Sequence, residues 1–158
     1  MKVLVVLGSG GHTKEMVRLV ELLGPEYEYS YLIAEDDPIS ESKIRQPGPV
    51  FRALRPRFQD DPPWRVLWKL VISGVQARRA LRQVRPDVVL SAGPGLAVPV
   101  SLLGKWMGAR VVYVETASPV HYLTTTGKIM RHLADLFFVQ WPELQSLVPG
   151  AIYAGRLW

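Results

Sequence analysis

The chain has 158 residues, of which 48% are hydrophobic and 21% are charged, and its net charge is +5. This length and composition predict one globular domain over residues 1–158 and exclude a disordered or repetitive chain. The absence of cysteine excludes disulfides and thiolate metal sites. The three histidines, His12, His121 and His132, lack the spacing of metal ligands, so we expect no metal site.

The first predicted element is a strand that ends in a glycine-rich loop. Residues 3–7 are all apolar, which is typical of a strand buried on both faces of a parallel sheet. From Thr13 onward, apolar residues recur at helical spacing until Gly24, and residues 27–34 form a second predicted strand. These elements make a βαβ unit with a right-handed crossover between parallel strands.

Strands and helices alternate along the rest of the chain. Residues 35–50 carry acids, prolines and a glycine, which predicts a loop. We predict further strands at residues 50–54, 87–91, 110–115, 136–139 and 151–153, and helices at residues 62–84, 95–107, 128–134 and 143–147. This alternation predicts an α/β fold with a doubly wound, mostly parallel, Rossmann-like sheet.

Three unusual segments follow predicted strands. They are GSGGHT at residues 8–13, SAGPG at residues 91–95 and ETASPVHYLTTTGK at residues 115–128. Because ligands of open α/β sheets bind outside the carboxyl ends of the strands, we expect these segments to form the binding site.

The first segment is a candidate anion-binding loop, since glycines let backbone N–H groups at a helix N-terminus approach a phosphate. It lacks the Gly-Lys-Ser/Thr of a Walker A loop, and Thr13 stands where a dinucleotide fingerprint has its third glycine. A dinucleotide site still stays open, because Glu35 or Asp36 ends the second strand, where an acid can bind a ribose. The candidate acceptor- or phosphate-binding residues of this loop are Gly8, Ser9, Gly10, Gly11 and Thr13.

His12 lies at the mouth of the first predicted helix. The positive end of the helix dipole disfavours an imidazolium there and keeps the ring neutral. A neutral imidazole can accept a proton from an attacking hydroxyl, or it can bind a phosphate. The alternative is that His12 only caps the helix, a role that Thr13 can also fill.

The other two segments supply glycine turns, hydroxyls and a carboxylate. SAGPG favours an extended phosphate-bearing ligand, although a tight turn alone also explains its glycines. Glu115 ends an apolar strand, which predicts either a cleft carboxylate with a shifted pKa or a carboxylate satisfied by backbone N–H groups. The candidate acceptor-binding residues here are Ser91, Gly93, Gly95, Thr116, Ser118 and Thr126.

The predicted helix at residues 62–84 combines tryptophans with positive charge. Nine basic residues lie between Arg52 and Arg85, against two acidic ones, Asp60 and Asp61. This pattern is typical of a helix that lies on an anionic membrane, but charges interrupt it too often for a membrane span. A core stripe, a subunit interface or a solvated basic face is the alternative; no nucleic-acid motif accompanies the charge, so we expect no nucleic-acid partner. The candidate membrane residues are Trp64, Arg65, Trp68, Lys69, Val71 and Ile72.

Five segments together resemble one protein family. They are GSGGHTKEM (8–16), SAGPG (91–95), YVETAS (113–118), LTTTGKI (123–129) and FFVQWPEL (137–144). In this order they resemble the acceptor-side subunit of the two-subunit N-acetylglucosaminyltransferase of dolichol-linked oligosaccharide synthesis and its bacterial relatives in polysaccharide biosynthesis. The chain is also similar to the N-terminal half of the peptidoglycan lipid I glycosyltransferase.

The resemblance implies the N-terminal half of a split, inverting GT-B glycosyltransferase that is nearly inactive alone. Such a subunit binds a polyprenyl-diphosphate-linked sugar and recruits a separate donor-binding subunit as a heterodimer, partly through its C-terminal segment. The nucleotide-sugar donor lies on that partner, and the transfer needs no metal or other cofactor. By the same resemblance, His12 is a base or a phosphate ligand, and Glu115 orients the acceptor hydroxyl.

The resemblance also bears on location. The sequence lacks the N-terminal membrane anchor of the eukaryotic members and has no signal-peptide pattern. We therefore expect a cytoplasmic protein that associates peripherally with the inner face of the cell membrane through residues 62–84. Two alternatives stay open: a non-catalytic membrane scaffold for the donor-binding subunit, and a stand-alone dinucleotide-binding domain.

Overall fold

A computed structural model of the chain describes residues 1–56 and 62–157. These residues form a seven-stranded sheet in which all neighbouring strands are parallel. The strands are β1 Lys2–Val6, β2 Glu28–Ala34, β3 Val50–Ala53, β4 Val88–Ala92, β5 Arg110–Val114, β6 Leu136–Val139 and β7 Ile152–Tyr153. The helices are α1 Gly11–Leu23, α2 Pro63–Val84, α3 Ala97–Trp106 and α4 Thr125–Met130, with 3₁₀ turns at Glu41–Lys43 and Pro142–Leu147. The predicted Rossmann-like α/β fold is confirmed.

The strand order is β3-β2-β1-β4-β5-β6-β7. The sheet therefore grows in one direction from β1 to β3 and in the other from β4 to β7. Because the crossovers of the two halves leave the sheet in opposite directions, a crevice opens above the carboxyl ends of β1 and β4.

Alternate strand residues pack into two layers. Val3 and Val5 of β1 pack with Met16 of α1 on one face of the sheet. Leu4 and Val6 pack on the other face, where α2 and α3 cover them, and α4 packs beside these helices over β5 and β6. Among the described helices, α1 is therefore alone on its face, and it leaves an apolar groove beside β5 and β6.

Most element boundaries agree with the sequence predictions to within two residues, and one helix differs by more. The first helix begins at Gly11 instead of Thr13, because Gly10 adopts a positive φ of 68° that turns the chain directly into the helix. The predicted helix at residues 128–134 is wrong in position. It begins at Thr125, because the Thr124 side chain accepts a hydrogen bond from the Gly127 N–H at 2.9 Å and so caps the helix there.

Candidate active site

A cleft of about 340 Å³ opens above the carboxyl ends of β1 and β4, where the strand order reverses. The loops that follow these two strands form its walls, and Arg55 and Pro56 after β3 close one side. The structure brings six of the predicted site residues together in the lining of this cleft: Gly8, Ser9, His12, Gly93, Gly95 and Thr126.

His12 lies between the two glycine loops. Gly93 has a φ of +73°, and a Cβ atom at this position would overlap the His12 imidazole. A Cβ at Gly8 would lie 2.8 Å from the Pro94 side chain and 3.1 Å from His12 Cβ. The absence of a side chain at both glycines therefore makes room for the histidine, and it also lets a ligand approach their backbone.

One edge of the His12 ring is buried and the other faces the cleft. The side chain is 31% exposed overall, yet its Nδ1 atom is buried. Within the described part of the chain, Nδ1 has no hydrogen-bond partner, and the nearest carboxylate oxygen, Glu15 Oε2, lies 3.9 Å away. The nitrogen left for a ligand in the cleft is therefore Nε2.

Arg55 gives the cleft its positive charge, and sequence analysis did not single it out. Its Nε atom lies 3.1 Å from Asp36 Oδ2, and its Nη1 donates to Ser9 Oγ at 3.2 Å. Glu35 accepts a hydrogen bond from Gln76 at 2.6 Å. Asp36 and Glu35, the two acids considered as ribose ligands, are therefore both engaged with protein groups. The sequence could have indicated Arg55 as a site residue, because it directly follows the strand predicted at residues 50–54.

Thr13 faces inward and does not line the cleft. Its hydroxyl donates to the Gly8 carbonyl and lies 2.6 Å from Ser40 Oγ, which in turn donates to Asp37. Gly10 and Gly11 lie instead beside a separate basic pocket at the start of α1 that includes Lys14. In the ranges that the structure covers, no side chain caps the N-terminus of α1, so neither His12 nor Thr13 has the capping role.

Glu115 is buried beneath the cleft and is not brought to its surface. Its Oε1 accepts hydrogen bonds from the Thr116 N–H at 3.0 Å and from Thr124 Oγ1 at 2.9 Å, and its Oε2 accepts from the Thr124 N–H at 3.3 Å. Burial raises the pKa of Glu115 despite these hydrogen bonds. This geometry matches the alternative of a carboxylate satisfied by nearby backbone groups, and it anchors the loop between β5 and α4.

The remaining hydroxyl candidates do not meet in the cleft. Ser91 is buried in β4, and its hydroxyl has no hydrogen-bond partner among the residues described. Thr116 is buried and donates to Glu15 Oε1 at 3.1 Å. Ser118 is exposed and lies outside the cleft lining.

Glu15 and Gln140 are buried polar residues that sequence analysis missed. Glu15 Oε1 accepts three hydrogen bonds, from Thr116 Oγ1, from the Ala117 N–H at 2.8 Å and from Gln140 Nε2 at 3.1 Å. Burial alone would raise the pKa of Glu15, but its contacts with His12, Ala117 and Thr116 outweigh burial and lower the pKa. The signal for Glu15 was its spacing, since residues three apart on a helix are neighbours.

The candidate membrane residues lie on the outer side of α2. Trp64 and Trp68 are 66% and 65% exposed, Val71 is also exposed, and the Arg65 guanidinium lies 5.1 Å from the centre of the Trp64 ring. Lys69 and Ile72 are half-buried. The neighbouring helix α3 adds the exposed residue Leu102, which lines a shallow groove with Val71 and Val75 of α2 and which the sequence did not single out.

No helix in the described ranges is both long enough and apolar enough to cross a membrane. Those ranges also contain no group of three or more His, Cys, Asp or Glu residues able to hold a metal ion. The cleft lining itself offers the His12 imidazole, the Arg55 guanidinium, the Ser9 and Thr126 hydroxyls and the backbone of the glycine loops.

The face of the sheet that carries α1, opposite α2 and α3, has an apolar groove of about 520 Å³. Leu22 of α1 forms one wall, and Leu136 and Phe138 of β6 lie in its floor. Residues 154–157 run along it, and the Leu157 N–H donates to Gln140 Oε1 at 2.8 Å. The C-terminal segment, for which the resemblance implies partner docking, therefore lies here up to Leu157, while Trp158 falls outside the described residues.

The sequence matches a known family over nearly its whole length. The family described as "Oligosaccharide biosynthesis protein Alg14 like" matches residues 3–157. The UDP-N-acetylglucosamine transferase subunit ALG14 of Mus musculus is 34% identical over 186 residues, covering 99% of this chain and 83% of the mouse protein. The alg14 subunit of Schizosaccharomyces pombe is 34% identical over 171 residues, covering 96% of this chain and 81% of the yeast protein.

Solved structures share the fold. MurG of Acinetobacter baumannii matches with a TM-score of 0.77 at 16% identity, covering 97% of this chain and 45% of MurG. The UDP-GlcNAc 2-epimerase of Neisseria meningitidis, solved with UDP-GlcNAc bound, matches with a TM-score of 0.73 at 16% identity, covering 99% of this chain and 47% of the epimerase. This chain thus spans a little under half the length of either solved chain, and the likeness shows the fold alone.

Proposed function

Because the chain belongs to the Alg14-like family of oligosaccharide biosynthesis proteins, we propose that it is the acceptor-binding subunit of a two-subunit glycosyltransferase. The full enzyme transfers a sugar from a nucleotide-sugar to a polyprenyl-diphosphate-linked acceptor. The relatives named as UDP-N-acetylglucosamine transferase subunits make UDP-N-acetylglucosamine the first donor to test.

The observation that carries this proposal is His12 at the switch point of the sheet. Its ring is buried on the Nδ1 side and open to the cleft on the other. In the proposed reaction, Nε2 accepts the proton of the acceptor hydroxyl while that oxygen bonds to the anomeric carbon of the donor. The bond from this carbon to the nucleoside diphosphate breaks on the opposite side, so the transfer inverts the configuration.

Groups that can bind the acceptor diphosphate lie in the same cleft as His12. Arg55 supplies a guanidinium, and Ser9 supplies a hydroxyl that this guanidinium already contacts. The first turn of α1 contributes His12 to the cleft lining, and the helix dipole favours negative charge at this end of the helix. We assign Glu115 a positioning role beneath the cleft, because its carboxylate is committed to Thr116 and Thr124.

The surface formed by α2 and α3 supports peripheral association with the inner face of an anionic cell membrane. Tryptophans with cationic neighbours suit the headgroup region of a bilayer. Leu102 of α3, which lines a groove with Val71 and Val75, extends this surface beyond the residues predicted from the sequence. The lipid-linked acceptor would then reach the cleft from the same membrane.

The apolar groove on the other face supports docking of the donor-binding subunit. A parallel sheet is normally covered on both faces, and here the β5–β6 half is open on one side. The C-terminal residues 154–157 line this groove, and their position supports a contribution of this segment to docking. The nucleotide-sugar site itself is proposed to lie on the partner, and this chain is proposed to be nearly inactive alone.

Reconstitution tests the proposal. The chain is combined with the donor-binding subunit of the same organism, UDP-N-acetylglucosamine and a polyprenyl-diphosphate sugar in anionic vesicles. We expect transfer only when both subunits are present, and His12→Ala should lower turnover by about 100-fold or more. His121→Ala is the matched control, because His121 is exposed and does not line the cleft. The proposal is wrong if the pair transfers none of the nucleotide-sugars tested to any polyprenyl-diphosphate sugar.

A non-catalytic scaffold is the second candidate, and the two exposed apolar surfaces favour it. A scaffold recruits the partner to the membrane without contributing groups to the reaction. It predicts unchanged turnover for His12→Ala as long as partner binding and folding are intact. Pull-down of the partner and thermal unfolding of the variant therefore accompany the assay.

A further inference from the structure

Two buried polar atoms face each other beneath the cleft without a partner. They are His12 Nδ1 and Glu15 Oε2, 3.9 Å apart. Buried polar groups almost always form hydrogen bonds, so two such atoms in mutual reach need an explanation. A proton on Nδ1 would make the pair complementary, since a carboxylate accepts what an imidazole N–H donates.

Glu15 is held in place by groups from two other parts of the fold. Thr116 and Ala117, in the loop after β5, donate to its Oε1, and Gln140 at the end of β6 does the same. All three donors meet one oxygen, which leaves Oε2 as the atom directed at His12. The carboxylate is therefore fixed by its surroundings, and not by the histidine.

We infer that Glu15 is the positioning residue of His12, which holds Nδ1 as the protonated nitrogen and leaves the lone pair of Nε2 in the cleft. An imidazole without such a partner can place its proton on either nitrogen, and only one of the two tautomers can act as a base toward the cleft. The inference concerns the tautomer of the free chain, and it rests on the proposed function only for what Nε2 then does.

Gln140 joins this arrangement to the C-terminal segment. Its amide group donates to Glu15 Oε1 and to the Glu115 carbonyl, each at 3.1 Å, and its carbonyl oxygen accepts the Leu157 N–H at 2.8 Å. The side chain of Gln140 is almost completely buried. The segment that lines the apolar groove is therefore linked to the histidine through two side chains, Gln140 and Glu15.

Nitrogen NMR of the histidine side chains tests the inference on the full chain, without partner or acceptor. Long-range ¹H–¹⁵N correlations at about pH 8.5, above the usual titration range of histidine, show which ring nitrogen carries the proton. His12→Gln assigns the signal among the three histidines of the chain. We expect the Nδ1–H tautomer in the native protein; a predominant Nε2–H tautomer overturns the inference.

Glu15→Gln gives the sharper result. The three donors keep the side-chain oxygen at the position of Oε1, so the new amide NH₂ points at Nδ1 and donates to it. We expect the proton of His12 to move to Nε2. Glu21→Gln is the matched control on the same helix, because Glu21 pairs with Arg18 and Arg45 at the surface. An unchanged His12 tautomer in Glu15→Gln contradicts the inference.

A purely structural role of Glu15 would change stability without changing the tautomer. If Glu15→Gln does not fold, the tautomer of the native chain still decides the question. In the reconstituted enzyme we expect Glu15→Gln to lower kcat by about 100-fold with little change in KM. Failure of reconstitution would count against the proposed function and leave the NMR result standing.

Discussion

At the scale of single residues, His12 is defined by contacts that come from distant parts of the chain. The sequence singled out His12, Gly8 and Gly93, because glycine loops after strands indicate a ligand site. It could not show that Gly93 packs on the imidazole, since 81 positions separate the two residues and local spacing carries no information on that contact. The spacing of Glu15 from His12 was visible, but its hydrogen bonds with Thr116, Ala117 and Gln140, which fix its carboxylate, come from more than 100 positions away.

Gly93→Ala should displace His12. The new Cβ overlaps the imidazole, and the positive φ of +73° costs a residue other than glycine about 1–2 kcal/mol. We expect the free energy of unfolding to fall by about 2 kcal/mol or more, with a shift of the His12 imidazole signals in NMR. Chemical denaturation measures the first quantity.

Gly95→Ala is the control for this prediction. It lies in the same loop, but a Cβ there meets no atom within 4 Å, and its φ is outside the positive range. We expect its stability to stay within about 0.5 kcal/mol of the native chain. Equal losses for both variants would show that the loop, and not the contact with His12, sets the cost.

At the scale of elements, hydrogen bonds from the loop between β2 and β3 hold the loop between β1 and α1 in place. Asp37 accepts hydrogen bonds from the Ser40 N–H and hydroxyl, and Ser40 contacts Thr13 and the Gly8 carbonyl. Burial alone would raise the pKa of Asp37, but the hydrogen bonds from Ser40 and Ile39 outweigh it and lower the pKa below its ordinary 3.8. Asp37 is thus expected to be ionised at neutral pH and to stabilise the glycine loop.

Asp37→Ala should therefore destabilise the protein in a pH-dependent way. The folded state binds the proton less readily than the unfolded state, so this contribution is complete above the ordinary pKa and is lost as the pH falls through the lower folded value. We expect a loss of about 2 kcal/mol at pH 7 that shrinks toward acid pH. Urea unfolding of both proteins between pH 3 and pH 7 measures the difference.

Ser42→Ala provides the comparison for Asp37→Ala, because Ser42 is exposed in the same loop. Its effect should be small at every pH. A constant gap between the native chain and Asp37→Ala across the whole range would contradict the role given to the ionised carboxylate.

The elements that depend on local signals were predictable from the sequence, and those that depend on a side-chain cap were not. Apolar runs placed every strand, from the buried strand β1 to the short edge strand β7, whose two residues are exposed. The start of α4 depends on Thr124, whose hydroxyl binds the Gly127 N–H and Glu115 at once. Three consecutive threonines offered no way to choose which of them caps the helix.

At the scale of the whole molecule, two exposed apolar surfaces lie on opposite faces of the sheet. One is formed by α2 and α3, and the other is the groove along Leu22 and Leu136. The sequence predicted the first from the tryptophans of one helix. It could not predict the second, because an uncovered sheet face depends on which side each crossover takes.

Paired variants separate the two surfaces. Trp64→Ser with Trp68→Ser should lower binding to anionic vesicles about tenfold or more, because two exposed tryptophans lose their apolar contact with lipid. Leu22→Asp with Leu136→Asp should leave vesicle binding unchanged and weaken binding of the donor-binding subunit. Vesicle sedimentation and calorimetric titration measure the two affinities, and unchanged sedimentation of the tryptophan variant would exclude α2 as the membrane surface.

The open half of the sheet has a consequence for how a cell supplies this protein. A chain made in excess of its partner keeps the groove along β6 in contact with water, and exposed apolar grooves favour aggregation and degradation. On the proposal that the donor-binding subunit covers this groove, co-expression of the two subunits should raise the yield of this chain. The amount of the partner would set how much of this subunit persists.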